Sequence, residues 1–526
     1  MNFQKWFPVI AMSPIAMTLL FAGAALTFIL PVFSYRGYLP LGSTDLVFLF
    51  FLTVLAATYR PGWIFLLLVS VLPLETVDLA PSSIGSGIRP YQFLTLAIVI
   101  GLIVRFLTRR PLPELPRFGA GDFLLSLVPI GSLVAVINAS EPLTALRFSV
   151  ILFSFYGLYF LFRIFVRTSE DIGRILPFVI VSAIATVFFA IVQNILFLGG
   201  NGTYEVMPGR PNASFAEPDW LGMFLVLSLT TLLSVGYMIA ARTESMFGFL
   251  RMKRSILLFV ASTAVIAALI IAVSRSAWLG AVIASVVVIG ASFIAGRRQT
   301  ATVLILFFGV SAILSSILVF AVPLTDFDLF GRAGSVGSGL QTITVSCGSE
   351  TVLPDRIRSV DELASRGCRH INLDEIDFER SADRFVTTIK RDDPNVSIRK
   401  KIYEQSISLG SEHPVLGVGW GTVSGVLGAD ERGAGLNASD VFLEIWLGSG
   451  LVGIFGFISF LILLAIRAVR DFFFSCGVFP LFLIATFAGL TVFNLFNSGI
   501  LLGFFWALLG ISGSYIFHEA DFSETL

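Results

Sequence analysis

Charge is scarce in this chain. Lys, Arg, Asp and Glu make up 13% of 526 residues, and 35 basic residues balance 35 acidic ones. A net charge of zero leaves no footprint of nucleic-acid binding. Cysteine is scarcer still, at three residues, and no Cys/His set has the spacing of a zinc site. The N-terminus has no cleavable-signal pattern. Its apolar stretch is too long and shows no obvious small-residue cleavage site, so it reads as a first membrane span. There is no internal repeat and no low-complexity tract. Gly417, Gly419, Gly421, Gly425 and Gly428 form a glycine-rich stretch. No Lys-Ser/Thr follows it, which excludes a nucleotide-binding loop. A Gly-x-Ser-x-Gly elbow with a partner histidine is also missing.

What is abundant is apolar surface. Hydrophobic residues make up 56% of the chain, 52 of them phenylalanine, and the mean hydropathy is +0.89. That predicts an all-α polytopic membrane protein. Stretches near the ~20 residues a bilayer needs give about fourteen spans. They lie at 8–33, 44–58, 61–75, 91–108, 121–138, 143–166, 174–198, 219–241, 254–273, 277–296, 301–323, 442–466, 477–496 and 498–517. The second and third are short and could form one broken or re-entrant hairpin.

Basic residues set the orientation. Arg109, Arg110 and Arg117 follow the fourth span, Arg167 and Arg174 the sixth, and Arg242, Arg251, Lys253 and Arg254 the eighth. Arg297 and Arg298 follow the tenth, Arg467 and Arg470 the twelfth. Each cluster thus follows an even-numbered span. The expectation is that both termini are cytoplasmic and that the odd-numbered loops face outside. One of these loops, 324–440, exceeds a hundred residues, and loops of that size usually carry function. Its part Asn395–Leu409 reads as an amphipathic helix near the membrane. The chain divides into N-terminal spans 1–200, core spans 201–323, the large loop 324–440 and C-terminal spans 441–526. Cys347 and Cys368 both lie in the large loop. Such a pair is compatible with a disulfide if the loop faces an oxidising compartment; the plain alternative is two free thiols.

Three outward arginines stand out. Arg275 lies in Ser274-Arg275-Ser276-Ala277-Trp278-Leu279, between two spans joined by a very short turn. A cation there is costly unless it snorkels or meets an anion. Arg210 opens Arg210-Pro211-Asn212-Ala213-Ser214, and Arg399 lies in the amphipathic segment. A guanidinium grips phosphate through two donors at once, so a cluster could bind a lipid diphosphate and stabilise it as a leaving group. The competing role for each is an interfacial helix anchor.

Ser274-Arg275-Ser276-Ala277-Trp278-Leu279-Gly280 resembles the Ser-Arg-x-x-x-Leu signature of the O-antigen ligase and polymerase superfamily. Arg399-Lys400-Lys401-Ile402-Tyr403, then His413-Pro414-Val415-Leu416-Gly417-Val418-Gly419, resembles that family's arginine followed by His-Pro-x-x-Gly-x-Gly. Phe442 to Gly453 resembles its next span, with Gly-Leu-x-Gly inside it. Arg210 to Gly222 resembles its earlier outside loop. The resemblance covers roughly residues 205–455. It implies a GT-C-type membrane glycosyltransferase in the cytoplasmic membrane. That enzyme takes a glycan from undecaprenyl diphosphate on the outer face, with no nucleotide sugar, cofactor or required metal. By matched position Arg275 and Arg399 would hold the diphosphate, and Arg210 would join them.

One departure matters. The ligases carry a histidine eleven residues before the glycine matched by Gly450, and here that position is Ser439. This shifts the expectation towards a polymerase, to which the Arg-x10-Gly spacing of Arg399 and Gly410 adds a little. Asp440 and Glu444 are adjacent carboxylates that could serve as base. They, or Ser439, could equally be an exposed helix start, with an N-cap and acids in the first turn. Glu217 is a further possible base, and His413, in a His-Pro turn, reads as structural. Residues from about Val345 to Arg380 match nothing in the family pattern and suggest an acceptor-specific insertion. A polymerase also implies a chain-length regulator as partner. Two other classes compete, a lipid flippase or transporter and a non-catalytic assembly protein. Spans nearly free of acids and polar mass on one side weigh against a transporter.

Overall fold

A computed structural model describes residues 13–81, 87–200, 205–207, 209–243, 253–325, 329, 340–348, 353–358, 360–371, 375–392, 394–428 and 436–517. The rest of the 324–440 segment, and the start of the first expected span, lie outside the described residues. Eleven apolar helices precede the polar segment: α1 (Pro14–Tyr35), α2 (Ser43–Tyr59), α3 (Pro61–Val71), α4 (Pro90–Leu107), α5 (Ala120–Ala135), α6 (Pro142–Phe165), α7 (Ser169–Leu198), α8 (Pro218–Thr243), α9 (Lys253–Ile271), α10 (Arg275–Ile294) and α11 (Arg298–Ala321). Three follow it: α13 (Val441–Ser475), α14 (Val478–Asn494) and α15 (Gly503–Phe517). Among the described residues, ten helices are long and apolar enough to cross a membrane, and α2, α3, α14 and α15 are shorter apolar helices. The protein is an all-α polytopic membrane protein in its bundle.

Proline marks several helix starts. Pro14, Pro61, Pro90 and Pro142 open their helices, where the missing N–H costs nothing and φ is already helical. The fourteenth helix starts at Gly503, five residues later than the hydropathy of 498–517 suggests. Asn494 explains the delay. Its side chain donates to Leu490 O and accepts from the Gly499 N–H at 2.8 Å each. The polar run Asn494–Gly499 is thereby fixed as a turn.

The ends of the helices fall into two sets. On one face Arg105 Nη1 donates to Thr58 O at 2.9 Å, Tyr237 OH to Cys476 O at 3.1 Å, and Tyr515 OH to Asp471 at 2.6 Å. There too Arg163 pairs with Asp122, both side chains fully buried. On the other face Gln193 donates to Tyr35 OH at 2.9 Å, and the Gly503 N–H to Glu75 at 2.7 Å. The first set joins even-numbered connections, the second odd-numbered ones, as strict up-and-down threading requires.

The polar segment was expected as one large loop carrying an amphipathic helix. It holds a four-stranded sheet as well, which that expectation did not include. Its order is β2-β4-β1-β3, with β1 at Leu340–Cys347, β2 at Arg356–Ile357, β3 at Cys368–His370 and β4 at Phe385–Asp392. β1 pairs antiparallel with β4 and β3, and β2 runs parallel to β4. Ile343, Val345, Ile357, Leu363 and Ile389 form its small core. Cys347 stands opposite Cys368 in register and is bonded to it. The helix expected at 395–409 is present as α12 (Pro394–Glu412).

Candidate functional site

The odd-connection face carries the site, and a loop inserted into a broken helix shapes it. In α13 the backbone of Gly450 (φ 65°, ψ −171°) is not helical. The run Pro414–Gly419 fills the break. The Leu451 N–H donates to Pro414 O at 3.0 Å, and the Val418 N–H to Leu447 O at 2.7 Å. A Cβ on Gly450 would stand 2.0 Å from Val415 O, and one on Gly417 2.4 Å from Leu447 O. Trp420 Nε1 donates to Ser449 Oγ at 2.8 Å. The His-Pro-x-x-Gly-x-Gly stretch and the Gly-Ser-Gly-Leu stretch are therefore two halves of one joint. His413 is exposed, and its carbonyl accepts from the Gly417 N–H at 2.9 Å.

The joint sets the end of α12. Gly410 packs on the Trp446 ring, where a Cβ would lie 3.0 Å away. Further back, Tyr403 OH donates to Leu495 O at 2.8 Å, and the Arg399 guanidinium lies 5.6 Å over the Phe496 ring. Arg399 is thus held against the turn that links α14 to α15. The other side of that turn meets the start of α10, where Asn497 Nδ2 donates to Ser276 Oγ at 2.7 Å. Arg275 is the first residue of α10, half-buried, directly before Ser276. Arg275 and Arg399, 124 positions apart by number (399 minus 275), flank one short turn.

Arg210 approaches from the connection between α7 and α8. Its Nε donates to Ala272 O at 3.1 Å, and its Nη2 meets Asp219 at 3.3 Å. It braces the turn that presents Arg275. Gln193 holds the same connection, since its Oε1 accepts the N–H groups of Asn212 and Ala213 at 3.0 and 2.8 Å. Ser214 Oγ donates to Pro73 O at 2.7 Å. Below it the Glu75 carboxylate takes Arg89 at 2.6 Å and Tyr91 OH at 2.9 Å. Glu205, in the same connection, is 8% exposed, and its carboxylate faces the Gly209 and Arg210 N–H groups. Burial pushes it up to about 7, with the Gly209 and Arg210 N–H groups opposing. Glu217 lies one residue ahead of α8, and its carbonyl accepts the N–H groups of Trp220 and Leu221.

Two acids stand beside the turn. Asp440 is the N-cap of α13, accepting from the Phe442 and Leu443 N–H groups at 2.7 and 2.9 Å through one oxygen. Burial pushes its carboxyl up, opposed by those two donors. Glu444, one turn on, faces Ser498. Glu444 Oε2 and Ser498 Oγ are both buried and face each other. Asp440 also helps to raise the Tyr403 phenol, after burial as the main cause, while Arg399 lowers it. Arg399, Tyr403, Asp440 and Glu444 thus share one neighbourhood. Among the described residues no three His, Cys, Asp or Glu side chains are grouped to hold a metal ion.

Residues 258–458 match the family model described as O-antigen ligase. That segment is similar to the O-antigen ligase family, which supports the O-antigen ligase and polymerase superfamily for it. The matched segment, under half of the chain, contains Arg275, Arg399, the joint at Gly450 and both acids. It implies a glycan-transferring enzyme of ligase or polymerase type, acting on lipid-linked glycans in membranes. No curated protein matches the chain. The Asn494–Gly499 turn lies outside the match, and sequence reasoning missed it. The signal was present: two asparagines and a serine interrupt an otherwise apolar run where two helices meet.

Proposed function

We propose that this protein polymerises lipid-linked oligosaccharide repeats of an O-antigen or exopolysaccharide, on the outer face of the cytoplasmic membrane. The observation that carries the reading is the shared turn, with Arg275 on one side, Arg399 on the other and Glu444 beside it. The donor is a glycan on undecaprenyl diphosphate. An acceptor sugar hydroxyl attacks the anomeric carbon, and the bond from that carbon to the diphosphate oxygen breaks. The two guanidinium groups stabilise the departing diphosphate. The hydroxyl proton passes to Glu444, which fits that role better than Asp440, already tied up as a helix cap. Arg210 acts at one remove, through Ala272 and Asp219. The outward orientation is supported by arginines clustered on the even connections and by the Cys347–Cys368 pair in the polar segment. A chain-length regulator is the expected partner.

Ser439, in place of the ligases' histidine, favours a polymerase. The family description itself favours a second reading, ligation of a finished glycan from undecaprenyl diphosphate to another acceptor. Gene deletion separates them. A polymerase leaves single repeats where the cell normally makes long chains. Long chains stranded on the lipid diphosphate would establish the ligase. Purified protein in liposomes, given lipid-linked repeats on one leaflet only, tests the flippase alternative. Elongation without transfer between leaflets supports the polymerase, and transfer without elongation overturns it.

A further inference from the structure

Another cation, Arg147, stands on the surface of the bundle, away from the shared turn. The loop that fills the break in α13 leaves the end of α12 and runs on to α6. There a Cβ on Gly419 would lie 3.1 Å from Ala145, and one on Gly421 2.4 Å from the Phe148 ring and 3.0 Å from Thr144. The loop thus reaches from α12, across the break in α13, to the first turns of α6. Arg147 follows Thr144 by three residues, so the two are neighbours on the surface of α6. Its side chain is exposed. Among the described residues its guanidinium has no hydrogen bond, ion pair or ring contact. Glu141, the N-cap of α6, is engaged elsewhere, since its carboxylate accepts from Thr144 Oγ1 at 2.9 Å.

The setting of Arg147 is apolar. Leu143, Leu146, Val150 and Phe153 are exposed around it. α6 is long and apolar enough to cross a membrane, so this face meets lipid. A cation there is costly unless it meets an anion. Arg147 is the sixth residue of α6, about 8 Å along it at ~1.5 Å per residue. From that depth a long side chain reaches back to the level of lipid headgroups.

A polymerase consumes two lipid-linked glycans, and each carries a diphosphate. Arg275 and Arg399 stabilise only the one that departs. We propose that Arg147 binds the diphosphate of the other, the acceptor, which approaches along the lipid-facing side of α6. The joint then stands between the two diphosphates, in the helix that carries Glu444. The inference rests on the polymerase reading above, because a ligase whose acceptor lacks a lipid diphosphate has no use for this site.

The test uses the intact protein in phosphatidylcholine liposomes. The donor is a lipid-linked chain blocked at its terminal hydroxyl, and the acceptor a single repeat on a non-cleavable phosphonate lipid; each is varied in turn. Arg147→Gln should raise the KM for the acceptor about five-fold, the effect of one arginine at a lipid headgroup, and leave kcat and the donor KM near wild type. Arg147→Lys, which keeps the charge, should recover most of the loss. An arginine of merely structural use would move kcat and both KM values together. An unchanged acceptor KM in a folded Arg147→Gln protein overturns the proposal, and so does an equal rise for both substrates. So does turnover that depends on added phosphatidylglycerol in wild type but not in Arg147→Gln, with both KM values unmoved, which assigns the arginine to bulk lipid. If wild type elongates nothing, the polymerase reading itself fails and the site falls with it.

Discussion

Replacing Gly450 by alanine tests the joint between α13 and the Pro414–Gly419 loop. The native backbone, φ 65° and ψ −171°, lies in a region open almost only to glycine. An alanine there carries ~1–3 kcal/mol of strain. The added Cβ would stand 2.0 Å from Val415 O, against a lower edge of 3.4 Å for ordinary contact. The obstacle is backbone, so no side-chain rotation relieves it. The loop must move by about 1.4 Å (3.4 minus 2.0). That loosens Leu451 N–H to Pro414 O and Val418 N–H to Leu447 O, each contributing ~0.5–1.5 kcal/mol. The expected destabilisation is therefore ~2–6 kcal/mol.

The control is Gly290→Ala in α10, where an added Cβ meets nothing within 4 Å. It should be neutral or stabilise by ~0.5–1 kcal/mol. Thermal unfolding of both variants in the same detergent measures the contrast. Glycan chain length in deletion cells expressing each variant measures the consequence for α12. Gly450→Ala should melt well below wild type and lose most transfer, and Gly290→Ala should do neither. If Gly450→Ala melts with wild type, loop and helix are not interlocked. If it melts lower but transfers normally, the joint does not position Arg399.

Other outcomes follow from the same geometry. Arg275→Ala or Arg399→Ala should abolish transfer at normal protein levels, and Arg→Lys should restore it only in part, since lysine lacks the two-donor fork; wild-type chain length in both alanine variants refutes the pairing. Cys347→Ser should destabilise the sheet by ~3 kcal/mol, for a closed loop of about twenty residues, and untreated wild type should show no free thiol at these positions by mass spectrometry. A cysteine at Arg358 should react with an impermeant thiol reagent in intact cells, with any outer membrane permeabilised, and one at Arg298 should not; the reverse inverts the topology. Glu205 is held near 7 in the fold, above its unfolded value, so the folded state binds more protons between about 4.5 and 7 and stability falls as pH rises through that window. Glu205→Gln should remove this slope in melts from pH 4 to 8 and be the more stable protein above 7; an unchanged slope would show that Glu205 does not carry it.

Hydropathy made the bundle legible because each helix must satisfy its own backbone in lipid, which forces long apolar runs. The same rule fails at Asn494–Gly499, where side-chain amides and helix caps satisfy the backbone inside an apolar stretch. A sliding average smooths over such a turn, so 498–517 seemed to start five residues early. The sheet stayed hidden for another reason. β2 and β3 are two and three residues long, too short to show alternation, whereas β1 alternates Ile343, Val345 and Cys347 with Thr344 and Ser346, a signal that the single-loop expectation passed over. The arginines were legible as costly charges at helix ends, and the structure adds where each sits. It gives Arg210 a bracing position at Ala272 and Asp219. It makes Asp440 the helix cap that its place before an apolar run suggested, and leaves Glu444 facing Ser498.

The Asn494–Gly499 turn also accounts for why the site needs residues beyond the matched segment. Arg275 and Arg399 sit on elements with independent supports. α10 is fixed by its short turn from α9, where Trp278 donates to Leu269 O at 2.7 Å. α12 is fixed by the Gly450 joint. Two independently supported charges keep a common spacing only if something rigid touches both, because a shift of about 1 Å in either can cost on the order of a hundred-fold in rate. The turn supplies that contact, with Asn497 on Ser276 and with Leu495 and Phe496 on Tyr403 and Arg399. It is anchored in turn through Gly503, whose N–H binds the buried Glu75. The turn between the last two helices and the connection between α3 and α4 thus brace both arginines, although the residues that meet the substrate in the proposed reaction lie between them.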